Sequence, residues 1–345
     1  MNQFSRRSNT LTHPAPKTAV ASLAWRPARR QELDPLLDEA TNERANPDML
    51  QTRKVPVVQM RVLCATDLSA RSQYAMGRAT LLANRLDTQL VILHVMKPDQ
   101  MIDRSLQARE RIAQQITSSA FPAAHEPAIE VRAGDYIQSI ATVAKETHAD
   151  LIIVGSRRTE SVAPFIGMTA ERITELAGRP VLIANLDPRE RYGAVLMVAE
   201  LSGAFIQVAS VASRCGFLEA ESVSVVHGFE SPYRGPLYAE GFDWRATERN
   251  VAEWEKAAGA RLLRKLDDAG VESSRFHLVF LQTRPIRAIR RVVRGIQPDL
   301  LIVGTKDRST LSRVMRGSVA NDVLRRMECD ILVASPDIES TGTLF

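Results

Sequence analysis

The side chains best suited to chemistry recur in two sets. The first is Asp67, His94–Val95, Gly134–Asp135 and the loop from Gly155 to Gly167. The second is Glu200, His227–Gly228, Gln282–Arg284 and the loop from Gly304 to Ser318. In each set a carboxylate follows one apolar run, a histidine closes the next, and a glycine-bounded loop follows a later one. A carboxylate in that place can accept hydrogen bonds from a ribose hydroxyl or an adenine amine. A strand, a flexible loop and a glycine at a helix start can present backbone N–H groups to phosphate, with the helix dipole in support. The competing reading is that these glycines only shape a strand–helix turn.

Other chemistries find no support. There is no Gly-x-Ser-x-Gly, His-Glu-x-x-His, Walker or paired-cysteine motif, so no catalytic or metal-ligating residue is nominated. His94 and His227 have no nucleophile at matching spacing and read as core or pocket-rim histidines. Cys64, Cys215 and Cys329 are odd in number and far apart, which fits buried apolar thiols in a reducing, cytoplasmic setting.

The elements that position these residues follow from an internal repeat. Val62–Ser69 (VLCATDLS) matches Val195–Ser202 (VLMVAELS), and Leu90–Val95 (LVILHV) matches Val223–Gly228 (VSVVHG). Asp150–Ser156 (DLIIVGS) matches Asp299–Thr305 (DLLIVGT), and Arg179–Ala184 (RPVLIA) matches Cys329–Ala334 (CDILVA). The offset is 133 residues for Asp67/Glu200 and His94/His227, then 149 for Gly155/Gly304 and 150 for Gly167/Gly317. The second copy therefore carries an insertion of about 16 residues, for which Glu230–Arg245 reads as an ordered loop.

Short β-branched runs alternate with helix-period stretches in each copy. In the first, strands are predicted at Val57–Thr66, Gln89–Met96, Ala128–Arg132, Leu151–Gly155 and Val181–Asn185. Helices are predicted at Ser69–Leu86, Arg104–Ser119, Asp135–Thr147 and Thr169–Ala177, with Ser69 and Asp135 as N-caps. Continuous apolar strands alternating with helices imply right-handed crossovers and a doubly wound parallel sheet. Ligands in such folds bind beyond the carboxyl ends of the strands. The last strands, Val181–Asn185 and Ile331–Ser335, read as sheet edges seeking partners.

The formal charge of +5 is misleading until it is located. Residues 1–30 carry Arg6, Arg7, Lys17, Arg26, Arg29 and Arg30 and no acid, so the remainder sums to −1. That tail reads as disordered and solvated, with a docking arm or a targeting signal as alternatives. Gln31–Leu50 reverses the sign with Glu32, Asp34, Asp38, Glu39, Glu43 and Asp48. Arg284, Arg287, Arg290, Arg291 and Arg294 form a basic run expected to wrap a helix as a solvated face, with an anion or nucleic-acid patch as the alternative, and no specific nucleic-acid partner is expected. Tyr74, Tyr136 and Trp254 read as packing residues. No apolar run reaches the ~18 residues a membrane span needs.

The order of Asp67–Ser69, Leu93–Val95, Asp150–Gly155, the glycine loop and Pro180–Ile183 resembles the universal stress protein family, in the adenine nucleotide alpha hydrolase-like superfamily. The resemblance covers residues 57–187 and 193–336, leaving 1–56 as an N-terminal extension and 337–345 as a C-terminal tail. It implies two tandem, Rossmann-like five-stranded sheets packed as a pseudo-dimer, with homodimerisation through sheet edges as a further expectation. The ATP-binding subgroup has the pattern G-x2-G-x9-G-[ST], from which this chain departs twice. The first copy keeps Gly155 and Gly167 but has Arg158 for the middle glycine, a shorter spacer, and Met168 before Thr169. The second keeps Gly304, Gly317 and Ser318 but has Asp307 for the middle glycine. The first-strand aspartate is retained as Asp67 and becomes Glu200; the valine that packs on adenine is retained as Val95 and becomes Gly228.

The resemblance thus implies a stress-response regulator that senses adenine nucleotide, ATP with Mg2+, at sites of which at least one is degenerate. The implied contacts are Asp67, Val95, Gly155, Gly167, Thr169, Glu200, Gly304, Gly317 and Ser318. A nucleotide-independent interaction scaffold competes with this reading. A slow ATPase comes third, because no general base is identifiable.

Overall fold

The apolar runs become ten strands. The computed structural model describes residues 60–119, 121–155, 166–199, 203–229, 244–281, 283, 285–304 and 329–334. The first half comprises β1 (Val62–Thr66), α1 (Ser72–Arg85), β2 (Leu90–Met96), α2 (Met101–Thr117) and β3 (Ala128–Ala133), then α3 (Tyr136–Glu146), β4 (Leu151–Gly155), α4 (Ile166–Ala177) and β5 (Val181–Ala184). The second comprises β6 (Ala194–Val198), α5 (Gly203–Arg214), β7 (Ser222–Gly228), α6 (Trp244–Asp268), β8 (Phe276–Leu281), α7 (Pro285–Ile296), β9 (Leu300–Gly304) and β10 (Asp330–Ala334).

All ten strands join one sheet in the order β3-β2-β1-β4-β5-β10-β9-β6-β7-β8. Every pairing is parallel except β5 with β10, where Val181, Leu182 and Ile183 run antiparallel to Val333, Leu332 and Ile331. The two strands expected to seek partners therefore satisfy each other, leaving β3 and β8 as the outer strands. Period-two alternation sends Val62 and Cys64 to one face and Leu63 and Ala65 to the other, and both faces are covered. One layer holds α1, α2, α5 and α6; the other holds α3, α4 and α7.

Several boundaries move for physical reasons. α1 starts at Ser72 behind Arg71, later than expected, and Ser69 precedes it in a tight turn from which its Oγ still accepts from Ser72 N at 3.3 Å, the contact expected of a cap. Asp135 is the cap expected, its Oδ1 accepting from Gln138 N at 3.0 Å. β1 begins at Val62 rather than Val57, residues 57–59 lying outside the described set. β5 stops at Ala184 because Asn185 N turns away to donate to Asp330 Oδ1 at 2.8 Å. Of the expected insertion loop, Trp244 and Arg245 belong to α6, and the rest lies outside the described residues. Part of the extra length extends a helix instead, since α6 has 25 residues against 17 in α2.

The aspartates of the DL[IL]IVG runs are structural. Asp150 Oδ2 accepts from Arg61 N at 2.9 Å, and Asp299 Oδ2 from Gly193 N and Ala194 N at 2.7 and 3.1 Å. Each anchors the start of its half's first strand, at the end opposite the candidate ligand edge.

A buried polar network ties the halves beside β5 and β10. Asp330, fully buried, accepts from Asn185 N, Leu186 N and Tyr192 Oη, and Arg78 Nε lies 3.3 Å away. Arg78 also donates to Arg189 O and sits 4.4 Å over the Tyr192 ring. The connecting segment packs against α1, where Gly77 makes room: a Cβ there would fall 2.7 Å from Pro188 Cγ. Arg85 pairs with Glu219 across the same junction, lying over Gly216, whose φ of +67° ends α5.

Candidate functional site

In the first half the site is built on the β1–α1 turn. Thr66 ends β1 and is buried; its Oγ1 donates to Ser72 Oγ at 2.8 Å and accepts from Leu68 N at 3.0 Å. Leu68 takes a φ of +62°, a conformation that the hydrogen bonds around it must hold. Asp67 is exposed, and its Oδ1 accepts from Ser69 N at 3.0 Å. Ser72 Oγ donates to Ser69 O at 2.8 Å, closing the turn at the first residue of α1.

Strand register decides which candidates meet. Ala65 pairs with Val154 and Thr66 with His94, so Asp67, Val95 and Gly155 stand at adjoining ends of β1, β2 and β4. This is where the strand order reverses, the position at which open α/β sheets offer a ligand crevice. Gly167 and Thr169 lie in the first turn of α4, which follows β4. In the second half Gly304 ends β9 next to β6. Glu200, Gly317 and Ser318 lie outside the described residues, as do Arg158 and Asp307.

Gly155 has a packing duty of its own. A Cβ there would lie 3.1 Å from Ser72 Cα, so the end of β4 abuts the backbone of the β1–α1 turn. At Gly304 the same atom would meet, among the described residues, Val208 Cγ2 at 3.4 Å. The two repeat-equivalent glycines are thus not equally constrained.

His94 and His227 are positioning residues at the rim. Nδ1 of His94 lies 2.9 Å from Thr66 O, and Nδ1 of His227 lies 2.8 Å from Ala199 O. A carbonyl oxygen only accepts, so the proton is on Nδ1 in both rings. Each histidine ties the end of a second strand to the end of the first, which explains its recurrence at a spacing of 133 residues.

The halves then diverge. Thr66 and Ser72 correspond to Ala199 and Phe205, so the second turn lacks these hydroxyls. Around the end of β2 the first half packs Met96, Ala108 and Val131 as a small apolar cluster. At the matching places the second half has Phe229 and Phe280, with Trp254 from α6 and His227. The Phe229–Trp254 centroids are 4.7 Å apart, and His227 stacks on Phe229 at 6.2 Å. Trp254 keeps 42% of its surface exposed; Tyr74, at 38%, is likewise less buried than a pure packing residue. The roles of Thr66 and Ser72 were missed in the sequence, although their absence from the second copy is visible in the repeat alignment.

None of the three cysteines forms a disulfide, and all three are buried. Burial pushes the Cys64 and Cys215 thiols up to about 12. Among the described residues no group of three or more His, Cys, Asp or Glu side chains gathers as a metal site. No described helix is long and apolar enough to cross a membrane.

The sequence model of the universal stress protein family matches residues 60–185 and again 211–335. The chain belongs to the universal stress protein family. The second match starts beyond β6, yet β6 holds in the second half the place that β1 holds in the first. A curated universal stress protein of Methanocaldococcus jannaschii is 31% identical over 104 residues, or 30% of this chain; the match spans 58% of that relative's length. Among solved structures, a functionally unknown protein of Pseudomonas aeruginosa aligns with a TM-score of 0.55 at 17% identity, over 81% of this chain and 94% of its own. A universal stress protein of Archaeoglobus fulgidus aligns with a TM-score of 0.52 at 17% identity, over 81% and 97%. At these identities the likeness concerns the fold, which the family shares across both halves.

Proposed function

We propose that this chain is a cytoplasmic stress-response regulator that binds adenine nucleotide, ATP with Mg2+, in its first half. The observation that carries the reading is the convergence of exposed Asp67, Val95 and Gly155 on adjoining strand ends where the strand order reverses. Asp67 would accept from the ribose or the base, Val95 would pack on adenine, and the start of α4 at Gly167 and Thr169 would face phosphate. Glu200, Gly304, Gly317 and Ser318 form the weaker, second candidate set. No residue is assigned as a general base, so the role is sensing rather than turnover. Isothermal titration of the full chain with MgATP tests the proposal. Binding that weakens in Asp67→Asn, which keeps an acceptor for Ser69 N–H, supports it; no heat at millimolar nucleotide overturns it.

One observation favours a second reading, a nucleotide-independent interaction scaffold. The close approach of Gly155 to Ser72 favours glycine there by itself, so its presence needs no phosphate. On that reading the purified protein carries no nucleotide, which mass spectrometry of released small molecules would reveal.

A further inference from the structure

The basic run on α7 does not wrap the helix. At about 100° per residue, Arg287, Arg290, Arg291 and Arg294 fall within an arc of about 100° and span about 10 Å of the axis. Ala288, Ile289, Val292 and Val293 occupy the other side and are buried against the sheet. Arg287, Arg291 and Arg294 are exposed and Arg290 is half-buried, its Nε without a hydrogen-bond partner. Among the described residues none of the four pairs with a carboxylate, and α7 contains no acid. Four like-charged neighbours at i, i+3 and i+4 repel along this face.

The repeat supplies an internal control. The equivalent helix α3 keeps the same core positions, Ile140, Val143 and Ala144 standing for Ile289, Val292 and Val293. Where α7 has its four arginines, α3 has Gln138, Ala141, Thr142 and Lys145. The fold builds this helix without an arginine stripe, so packing does not account for the stripe.

We infer that the exposed face of α7 binds the phosphodiester backbone of double-stranded nucleic acid without regard to sequence. Four guanidinium forks on one ridge suit phosphate oxygens, which accept them in pairs. Ala288, Ile289, Val292 and Val293 face the core, so none of these side chains is left to insert into a lipid surface. No aromatic residue interleaves with the arginines, so stacking on unpaired bases has no platform. The first 30 residues repeat the same charge without an acid, and a long polyanion is the partner that can engage both regions at once.

Fluorescence anisotropy with a short labelled DNA duplex of mixed sequence, titrated with the full chain over a salt series, tests this. In Arg287→Gln/Arg291→Gln, with the tail intact, affinity should fall about tenfold or more and the salt slope by about 2, near 0.9 per lost phosphate contact. Arg287→Lys/Arg291→Lys should keep the slope, and circular dichroism should be unchanged in both variants. The inference is overturned if the glutamine variant binds as the parent does, which would leave the tail responsible. Loss of slope in the lysine variant overturns it too. Equal competition by polyglutamate would point to an acidic protein, and binding only to vesicles of phosphatidylglycerol and phosphatidylcholine would point to a membrane; either result overturns it.

Discussion

Replacing Asp330 with asparagine should separate the halves energetically while barely changing the shape of the side chain. Asp330 accepts from Asn185 N at 2.8 Å, Leu186 N at 3.0 Å and Tyr192 Oη at 2.7 Å, with no solvent exposure. Asparagine can retain the two backbone contacts through its carbonyl and can donate to Tyr192 through its amide. What it cannot do is neutralise Arg78, which is 4% exposed with its Nε 3.3 Å from the carboxylate. A buried charge left without its counter-ion costs about 3 kcal/mol or more. Removing both charges in Arg78→Met/Asp330→Asn should recover most of that loss, giving a coupling of about 2 kcal/mol in a double-mutant cycle. Urea denaturation of the four proteins, followed by circular dichroism, measures each corner. If Asp330→Asn costs under about 1 kcal/mol, or the double variant equals the sum of the singles, the network does not hold the junction by charge pairing.

Two other outcomes follow from packing and titration. Gly155→Ala should destabilise the protein by about 1–3 kcal/mol, because the new carbon meets backbone at 3.1 Å; Gly304→Ala, meeting a side-chain methyl at 3.4 Å, should cost under about 1 kcal/mol. Equal costs by denaturation would refute the contrast. Cys64 and Cys215 titrate near 12 when folded, against an ordinary value of 9.0, so above pH 9 the unfolded chain loses protons that the native state keeps. Stability should therefore fall as pH rises from 9 towards 12, by about 1.4 kcal/mol per thiol at pH 10. Tyr192, raised by burial and then by the Asp330 carboxylate, steepens the fall above its ordinary 10.0. Thermal melts of the parent and Cys64→Ala/Cys215→Ala should diverge over that range; parallel curves would contradict the assignment.

Much of the fold could be read from the chain because its signals are local and doubled. The buried runs at Leu90–Met96 and Leu151–Gly155 have one stable use, as strands covered on both faces, and finding them twice fixed their order. That β5 and β10 needed covering was legible from their place as edges, and that they cover each other was what the family resemblance implied. Ser69 put the helix start too early, because a serine that accepts from the first helical N–H across a tight turn looks the same in sequence as one that adjoins the helix. The arginine run misled through geometry: steps of three and four residues return to one face instead of circling it. Asp150, Asp299 and Asp330 make their side-chain contacts 89 or more residues away, so no local signal discloses them. Asp67 and Val95 could be placed at the site by the repeat and the family resemblance, whereas the hydroxyls of Thr66 and Ser72 act through a turn whose conformation is not encoded by spacing.

The antiparallel pairing of β5 with β10 has a consequence for how the molecule meets others. Parallel strands within each half put their carboxyl ends on one rim, and reversal at the seam points the two rims in opposite directions. The carboxyl ends of β1 and β6 therefore open away from each other. Anything held at one rim cannot touch what is held at the other, so the two can be occupied together without collision. The molecule is built as a double-ended bracket, and any message between its ends has to cross the seam, where the three β5–β10 residue pairs, the Asp330 network and the Arg85–Glu219 pair join the halves.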